Sequence, residues 1–301
     1  MLILVDLDGV VYRASEGVPG VGPALAARAA RGDEVVYVTN NAMHYHGDYL
    51  ARLAGHGAPV GPDRVVTSAR AAAIYLREEM PAVRRVLAVG ASGLDRELRE
   101  AGLDVVTATH AATRMSQEGI DGWAAAGEPD AVVVGLDPAL TYLRIAAAAD
   151  CVRAGAVLVA TNRDPMYPTE RGFRPGAGSV VAAIEVAART TASICIGKPE
   201  PYLLRAAARS VDGDLPTAVM VGDALSDIAA GRAVGARTVL MLTGVTTREM
   251  ADALSEADRP TCIAADATEL AAALEQLGAA LQVGSRQPPP ATRRSRPTTR
   301  G

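Results

Sequence analysis

Short apolar runs rich in β-branched residues alternate with alanine-rich stretches along most of this chain. Eight runs predict strands, at 2–7, 34–40, 85–90, 130–135, 156–162, 192–197, 218–223 and 238–244. Most are continuously apolar, which is typical of parallel strands that helices cover on both faces. The intervening stretches predict helices over 46–55, 68–80, 94–101, 140–154, 200–210 and 225–234. The pattern indicates an α/β fold with a doubly wound parallel sheet.

The end of the chain breaks this pattern. Residues 283–301 contain three consecutive prolines, five arginines and no large apolar residue except Val283. Such a segment cannot bury enough apolar surface to offset the entropy of ordering it. We therefore predict a disordered basic tail over 283–301.

Composition narrows the functional classes. Hydrophobic residues make up 49% of the 301 residues, and the formal net charge of -4 predicts no nucleic-acid partner. No run reaches the roughly 18 apolar residues of a membrane span, so we expect no membrane partner. The first residues lack the charged region of a signal peptide, so we expect no signal peptide. The three cysteines are widely spaced, which favours reduced thiols and a cytoplasmic location.

Polar residues end four of the predicted strands: Asp6, Thr39, Asn162 and Asp223. In a doubly wound sheet, functional groups lie at these carboxyl ends. Asp8 follows Asp6 at the strand period of two, so we expect both carboxylates to point to one face. Two close carboxylates repel unless a cation lies between them. A hairpin turn at Asp8-Gly9 is the alternative, but no strand that could pair follows directly.

Three further segments carry candidate chemistry. Thr39 and the residues after it, in "VTNN", form a possible anion cradle. Lys198 is the only lysine of the chain, and it suits a phosphate or a carboxylate as a point charge. Asp223 and Asp227, in "VGDALSD", offer the oxygen ligands that Mg²⁺ prefers.

Taken in order, "DLDGV" (6–10), "TNN" (39–41), "GKPEP" (197–201) and "GDALSDI" (222–228) resemble the motifs of the haloacid dehalogenase (HAD) superfamily of phosphatases. Segments 130–138, 159–172 and 175–185 are similar to its subclass IIA, the NagD-like or nitrophenylphosphatase-like branch. The resemblance covers roughly residues 2–280 and implies a Rossmann-like core, 1–81 and 191–282, with an inserted α/β cap domain, 82–190.

The resemblance also implies roles for the motif residues. Asp6 would attack phosphorus and form an aspartyl-phosphate, and Asp8 would carry the proton of the leaving group and then of water. Mg²⁺ would be held by Asp6, the backbone carbonyl of Asp8, and Asp223. Lys198 would neutralise charge on the phosphoryl group. The residues expected to hold phosphoryl oxygens are Thr39, Asn40 and Asn41.

By the same resemblance, the loop at 161–168 contacts the leaving group of the substrate. Its candidate residues are Asn162, Arg163, Asp164, Met166 and Tyr167. Arg163 and Asp164 could read hydroxyls or a carboxylate, or they could simply pair with each other. Met166 and Tyr167 offer an apolar wall for a ring or a sugar face. The implied partner is a small phosphorylated metabolite, a sugar, glycerol, nucleotide or aryl phosphate, and a homodimer is possible.

Two departures from the family pattern leave questions open. Asp223 and Asp227 are one position closer together than in many relatives, so Asp227 is a metal ligand or lies behind the ligands. His44 stands where an arginine is common, and Tyr45 replaces the usual helix cap.

Other functions also fit part of the sequence. A phosphomutase would use the same aspartyl-phosphate. "HYHGD" could open a zinc metallo-hydrolase site through His44, His46 and Asp48. A non-catalytic sugar-phosphate sensor would be expected to lack Asp6 or Asp223, and both are present.

Overall fold

The computed structural model describes residues 1–119, 129–169 and 172–284. The predicted tail therefore lies outside the described residues, except for its first two positions, which close the last helix. Within the described ranges, no helix is both long and apolar enough to cross a membrane.

The strands, in chain order, are β1 (Leu2–Asp6), β2 (Tyr12–Arg13), β3 (Glu16–Gly17), β4 (Glu34–Thr39), β5 (Val65–Thr67), β6 (Arg85–Val89), β7 (Asp104–Thr107), β8 (Ala131–Val134), β9 (Val157–Ala160), β10 (Met166–Thr169), β11 (Gly172–Pro175), β12 (Ile194–Cys195), β13 (Val219–Gly222), β14 (Arg237–Met241) and β15 (Cys262–Ala264).

The α-helices are α1 (Val21–Ala29), α2 (Leu50–Gly55), α3 (Ser68–Glu78), α4 (Ser92–Glu100), α5 (Ala108–Glu118), α6 (Tyr142–Arg153), α7 (Ala177–Ala188), α8 (Tyr202–Arg209), α9 (Leu225–Ala233), α10 (Arg248–Asp252) and α11 (Ala267–Gly284). The predicted helix at 46–55 is a short 3-10 helix, His46–Tyr49, followed by α2. Threonine side chains cap α3, α5 and α6, where Thr67, Thr107 and Thr141 accept hydrogen bonds from backbone N–H groups of the first turn.

The first sheet has six parallel strands in the order β15-β14-β13-β1-β4-β5. All five residues of β1 are buried, with Leu4 in one apolar core and Ile3 and Val5 in another. This double burial is why β1 has no polar alternation. The order reverses between β1 and β13, and such a reversal opens a crevice at the carboxyl ends of the strands.

The second sheet has five parallel strands in the order β12-β9-β8-β6-β7. It has helices on both faces as well, since Leu87 and Val86 of β6 lie in different apolar cores. The α/β, Rossmann-like architecture predicted from the sequence is thus confirmed. Domain limits at 82 and 190 remain a prediction, and β12 pairs with β9 a few residues beyond the second limit.

Seven strands were not predicted from the sequence because they are short or exposed: β2, β3, β5, β7, β10, β11 and β15. β7 has four residues, of which Val105 alone is buried. β5 and β15 have three residues each. β10 and β11 form an antiparallel pair, and all four residues of β11 are exposed. This strand therefore has no apolar run that would predict it from the sequence. β2 and β3 form a two-residue ladder after the Asp8 turn.

Candidate active site

Four ionisable side chains meet at the crevice between β1 and β13. Lys198 Nζ lies 2.5 Å from Asp6 Oδ1 and 2.6 Å from Asp227 Oδ1. Carboxylate oxygens of Asp6, Asp223 and Asp227 all lie within 4.8 Å of one another. All four side chains are buried. Residues from three distant parts of the chain therefore converge, as the strand-end argument predicts.

This cluster carries three carboxylates and one ammonium, so its full ionisation leaves an excess of two negative charges. Burial raises the pKa of Asp6 well above its usual range, Lys198 lowers it, and Asp227 and Asp223 raise it again. Burial, reinforced by Asp227, raises the pKa of Asp223 to about 6. Burial alone would lower the pKa of Lys198, but the two carboxylates beside it raise that pKa overall.

The donor set fits Mg²⁺, because hard divalent cations favour carboxylate oxygens and two positive charges would offset the excess. Both oxygens of Asp227 already accept from the protein, Oδ1 from Lys198 and Oδ2 from the N–H of Ala224 at 3.0 Å. Asp227 therefore anchors Lys198, while Asp6 and Asp223 have the freer carboxylates. Sequence reasoning missed this partnership between Asp227 and Lys198.

Asp8 lies outside the cluster. β1 ends at Asp6, and the chain then turns so that Leu7 is buried and Asp8 is exposed. The expectation that Asp6 and Asp8 point to one face stays a prediction, and the like charges that raise the pKa of Asp6 are those of Asp227 and Asp223. Desolvation of the Asp8 carboxyl by the surrounding protein raises its pKa, and the charges of Arg52, Lys198 and His44 lower that pKa in part.

Two glycines let backbone approach Asp223. Gly9 has φ +84, and a Cβ there would lie 2.3 Å from Asp223 Oδ2. A Cβ on Gly244 would lie 1.8 Å from the same oxygen. The adjacent N–H of Val245 donates to Asp223 Oδ2 at 2.7 Å, so backbone lies close to this carboxylate at Gly9 and Gly244 and bonds to it at Val245. Neither glycine was singled out from the sequence.

The segment after β4 is held by its own side chains. Thr39 is buried, and its Oγ1 accepts from the N–H of Asn41 at 3.1 Å. The Asn40 amide is fully engaged: Oδ1 accepts from Lys198 N–H at 2.8 Å, and Nδ2 donates to Lys198 O at 3.0 Å. The Asn40 side chain therefore positions the backbone of Lys198, and the contact of Asn40 with phosphate stays a prediction.

The loop after β9 reaches the same place. Asp164 Oδ2 accepts from Asn40 Nδ2 at 2.9 Å, and Asn162 Nδ2 donates to Asn40 O at 2.7 Å. Arg163 turns away and pairs with Glu185, Nη2 to Oε1 at 2.6 Å. The alternative in which Arg163 and Asp164 pair with each other is wrong, since each has a different partner.

Met166 and Tyr167 lie on β10, at the hairpin with β11. Met166 is exposed and Tyr167 is half-buried. Both are therefore accessible to a ligand. Within the described part of the chain, neither side chain bonds to Asp6 or Lys198.

The zinc alternative is contradicted by the geometry. Within residues 1–119, 129–169 and 172–284, Asp6, Asp223 and Asp227 form the one group of three or more potential ligands close enough to share a metal ion. His46 pairs with Glu97, Nδ1 to Oε1 at 3.0 Å, and Asp48 Oδ2 accepts from Tyr45 N–H at 3.1 Å. His44, His46 and Asp48 do not assemble into a site.

Comparisons with known proteins agree with this geometry. A family profile described as haloacid dehalogenase-like hydrolase matches residues 3–104, and a HAD-hydrolase-like profile matches residues 195–270. An acid sugar phosphatase of Staphylococcus aureus (strain MRSA252) is 34% identical over 274 residues, which is 91% of this chain and 97% of that protein.

Solved structures give the same result. A p-nitrophenyl phosphatase from Archaeoglobus fulgidus superposes with a TM-score of 0.78 at 28% identity, covering 90% of this chain and 98% of that one. A glycerol phosphate phosphatase from Mycobacterium tuberculosis, solved in complex with magnesium, has a TM-score of 0.75 at 35% identity, covering 89% of this chain and 75% of that one. The chain belongs to the haloacid dehalogenase-like hydrolase family.

Proposed function

We propose that this protein is a Mg²⁺-dependent phosphatase that hydrolyses small phosphomonoesters through an aspartyl-phosphate on Asp6. The observation that carries the proposal is the buried cluster in which Lys198 joins Asp6 to Asp227 beside Asp223. Relatives named for acid sugar, p-nitrophenyl and glycerol phosphate phosphatase activity support the same reaction class.

In this mechanism a carboxylate oxygen of Asp6 attacks phosphorus, and the ester oxygen leaves with a proton from Asp8. Asp8 is suited to carry that proton because it is solvent-exposed and its pKa is raised. Asp8 then takes a proton from the water that attacks the aspartyl-phosphate, which frees Asp6 and releases phosphate. Lys198 stays between Asp6 and Asp227 and holds positive charge beside the transferring group.

Mg²⁺ would be held by Asp6, Asp223 and the backbone carbonyl of Asp8, and it supplies positive charge that screens the anionic phosphoryl group from the Asp6 carboxylate. Asp227 supports the site from behind, because both its oxygens bond to the protein. The Thr39 hydroxyl and the backbone N–H of Asn40 would donate to phosphoryl oxygens, because the N–H of Asn41 already donates to Thr39 Oγ1.

The leaving group would face the loop at 162–164 and the β10 residues Met166 and Tyr167. Asn162 and Asp164 both contact Asn40, and Asp164 offers the carboxylate that would accept a hydrogen bond from a substrate hydroxyl. Arg163, held by Glu185, supports the loop instead of reading the substrate. A sugar, glycerol, nucleotide or aryl phosphate fits this arrangement.

Cellular context is part of the proposal. A cytoplasmic location is supported by Cys195 and Cys262, which form no disulfide in the described part of the chain. A homodimer is supported by the exposed apolar side chains Tyr142 and Phe173, which a second copy would cover. Sedimentation at several protein concentrations tests the dimer.

The decisive experiment is phosphate release from a panel of phosphomonoesters with Mg²⁺, with EDTA, and with the Asp6→Asn variant. We expect activity with Mg²⁺ and its loss in the other two conditions. Full activity of Asp6→Asn would overturn the mechanism. Adding a second sugar to the assay separates hydrolysis from transfer, because a phosphomutase would move the phosphoryl group to that sugar.

A further inference from the structure

The segment "HYHGD", which the proposed mechanism leaves unused, packs against helix α4 beside the second sheet. His46 of this segment and Glu97 of α4 lie at the centre of the contact. Both are buried, with 6% and 3% of their surfaces exposed. Glu97 Oε1 accepts from the backbone N–H of His46 at 2.8 Å and lies 3.0 Å from His46 Nδ1. Separating the loop from the helix would leave the buried Glu97 carboxylate without these two partners, which costs free energy. The pair therefore fixes the loop on the helix. We call the contacts between residues 43–48 and α4 the loop–helix joint.

The backbones of the loop and the helix are also in direct contact at the loop–helix joint. The N–H of Gly93 donates to Met43 O at 3.0 Å. A Cβ on Gly93 would lie 2.4 Å from the carbonyl carbon of His44, so no other residue fits this helix position. At the rim, the Arg96 guanidinium lies 3.6 Å from the centroid of the Tyr45 ring.

The joint connects directly to the proposed phosphate site. The N–H of Met43 donates to Asn41 Oδ1 at 2.9 Å, and the N–H of Asn41 donates to Thr39 Oγ1 at 3.1 Å. A continuous series of hydrogen bonds therefore runs from the end of β4 to α4. One end of that series lies at the first sheet, and the other lies on a helix of the second.

We propose that His46 and Glu97 are positioning residues that fix the Thr39–Asn41 segment relative to the second sheet. The proposal rests on the proposed function, in which Thr39–Asn41 receives the phosphoryl group and the second sheet presents the loop at 162–164 to the leaving group. Asn40 already bonds directly to Asn162 and Asp164. The joint adds a second connection between the two supports, so that the phosphoryl group and the leaving group keep one relative position.

The test compares Glu97→Ala with the conservative Glu97→Gln, whose amide oxygen can still accept from His46. Asp137→Ala is the matched control, because Asp137 is equally buried and pairs with Arg144 at 2.8 Å but has no contact with residues 43–48 among the described contacts. KM and kcat are measured with p-nitrophenyl phosphate and Mg²⁺. Hydrogen exchange of the peptide spanning residues 39–46 is measured without substrate, together with the melting temperature.

For Glu97→Ala we expect KM to rise about tenfold, with a smaller change in kcat, and exchange in 39–46 to become about tenfold faster. Glu97→Gln should restore both values to near those of the wild type. Asp137→Ala should lower the melting temperature but leave KM and the exchange of 39–46 unchanged. The proposal is overturned if Glu97→Ala and Asp137→Ala behave alike, or if KM and exchange in Glu97→Ala match the wild type.

If Glu97→Ala does not fold, Arg96→Ala replaces it. Arg96 is exposed, and its truncation removes the rim contact with Tyr45 and the ion pair with Asp48, Nη1 to Oδ1 at 3.7 Å, while it leaves His46 and Glu97 paired. It should move KM and exchange in the same direction by a smaller amount, and unchanged values in that variant overturn the proposal. Exchange is read without substrate, so a failure of the phosphatase assignment would show as an inactive wild type and would leave the exchange result intact.

Discussion

Lys198 donates a hydrogen bond to Asp6 across 192 positions of sequence, Nζ to Oδ1 at 2.5 Å. The same ammonium also contacts Asp227, so it compensates two buried carboxylates at once. This arrangement requires a compact cation with rotatable donors rather than a planar fork, which explains why a chain that otherwise uses arginine has its one lysine here.

Lys198→Arg and Lys198→Met should both lose activity, with kcat lower by about 10³-fold or more, because the guanidinium is too wide for the position and the thioether has no charge. Lys198→Met should also be less stable by about 3–5 kcal/mol, since it leaves a buried ion pair broken. Turnover of p-nitrophenyl phosphate and thermal unfolding measure the two effects. A Lys198→Arg enzyme within tenfold of wild-type kcat would contradict this prediction.

Stability without metal should fall as the pH rises from about 4 to about 6. The folded-state pKa of Asp223 is raised to about 6 from a usual 3.8, so in this window the folded protein binds more protons than the unfolded chain. The loss is on the order of 1–3 kcal/mol. Mg²⁺ should restore stability above pH 6 by binding the ionised carboxylates.

Thermal unfolding from pH 4 to 8, with EDTA and with Mg²⁺, checks this linkage. Asp223→Asn supplies the control, because removing this titrating group should reduce both the pH dependence and the response to Mg²⁺, with Asp6 left as a carboxyl of raised pKa. A metal-free protein whose stability rises between pH 4 and 6 would show that the carboxylates are not the dominant titrating groups.

Gly244→Ala should weaken Mg²⁺ binding by displacing Asp223, since its Cβ would meet the Asp223 carboxylate at 1.8 Å. We expect the Mg²⁺ concentration for half-maximal activity to rise about tenfold or more. Gly55→Ala is the matched control, because that glycine ends α2 and has no atom within 4 Å of an added Cβ. Equal metal requirements in the two variants would rule out the steric role of Gly244.

Asn40→Asp should lower kcat by about 10–10²-fold, because an Asp side chain cannot donate to Lys198 O and would place a second carboxylate beside Asp164. Burial already raises the pKa of Asp164, and the hydrogen bond from Asn40 offsets part of that rise. The half-maximal Mg²⁺ concentration should change little, since neither Asp6 nor Asp223 contacts Asn40 in the described contacts. Metal titrations of activity distinguish this outcome from a general collapse of the site.

Much of the site could be predicted because parallel strands bring their carboxyl ends to one edge. Continuous apolar runs identify β1, β4 and β13, and the residues that follow them must then be neighbours. The family motifs add Lys198. This reasoning is local in sequence and relies on burial, which is the strongest signal that a single sequence carries.

The remaining contacts depend on pairings that sequence spacing does not encode. Nothing near Lys198 indicates that it will share its charge with Asp227, and nothing near His46 indicates a buried Glu97 on α4. The Asn40 amide could equally have faced a ligand, and only the three-dimensional structure shows it bonded to Lys198. Such choices follow from tertiary packing, which decides among side-chain conformers that are locally equivalent.

The solitary lysine has a practical consequence for chemical labelling. Amine-directed reagents find only Lys198 and the N-terminus, and Lys198 has 3% of its surface exposed while the N-terminal amine is paired with Asp33. Acylation of Lys198, identified by its peptide, would therefore report exposure of this buried site, with no contribution from another lysine side chain. Attaching the enzyme to a support through lysine would, for the same reason, select molecules that have already unfolded.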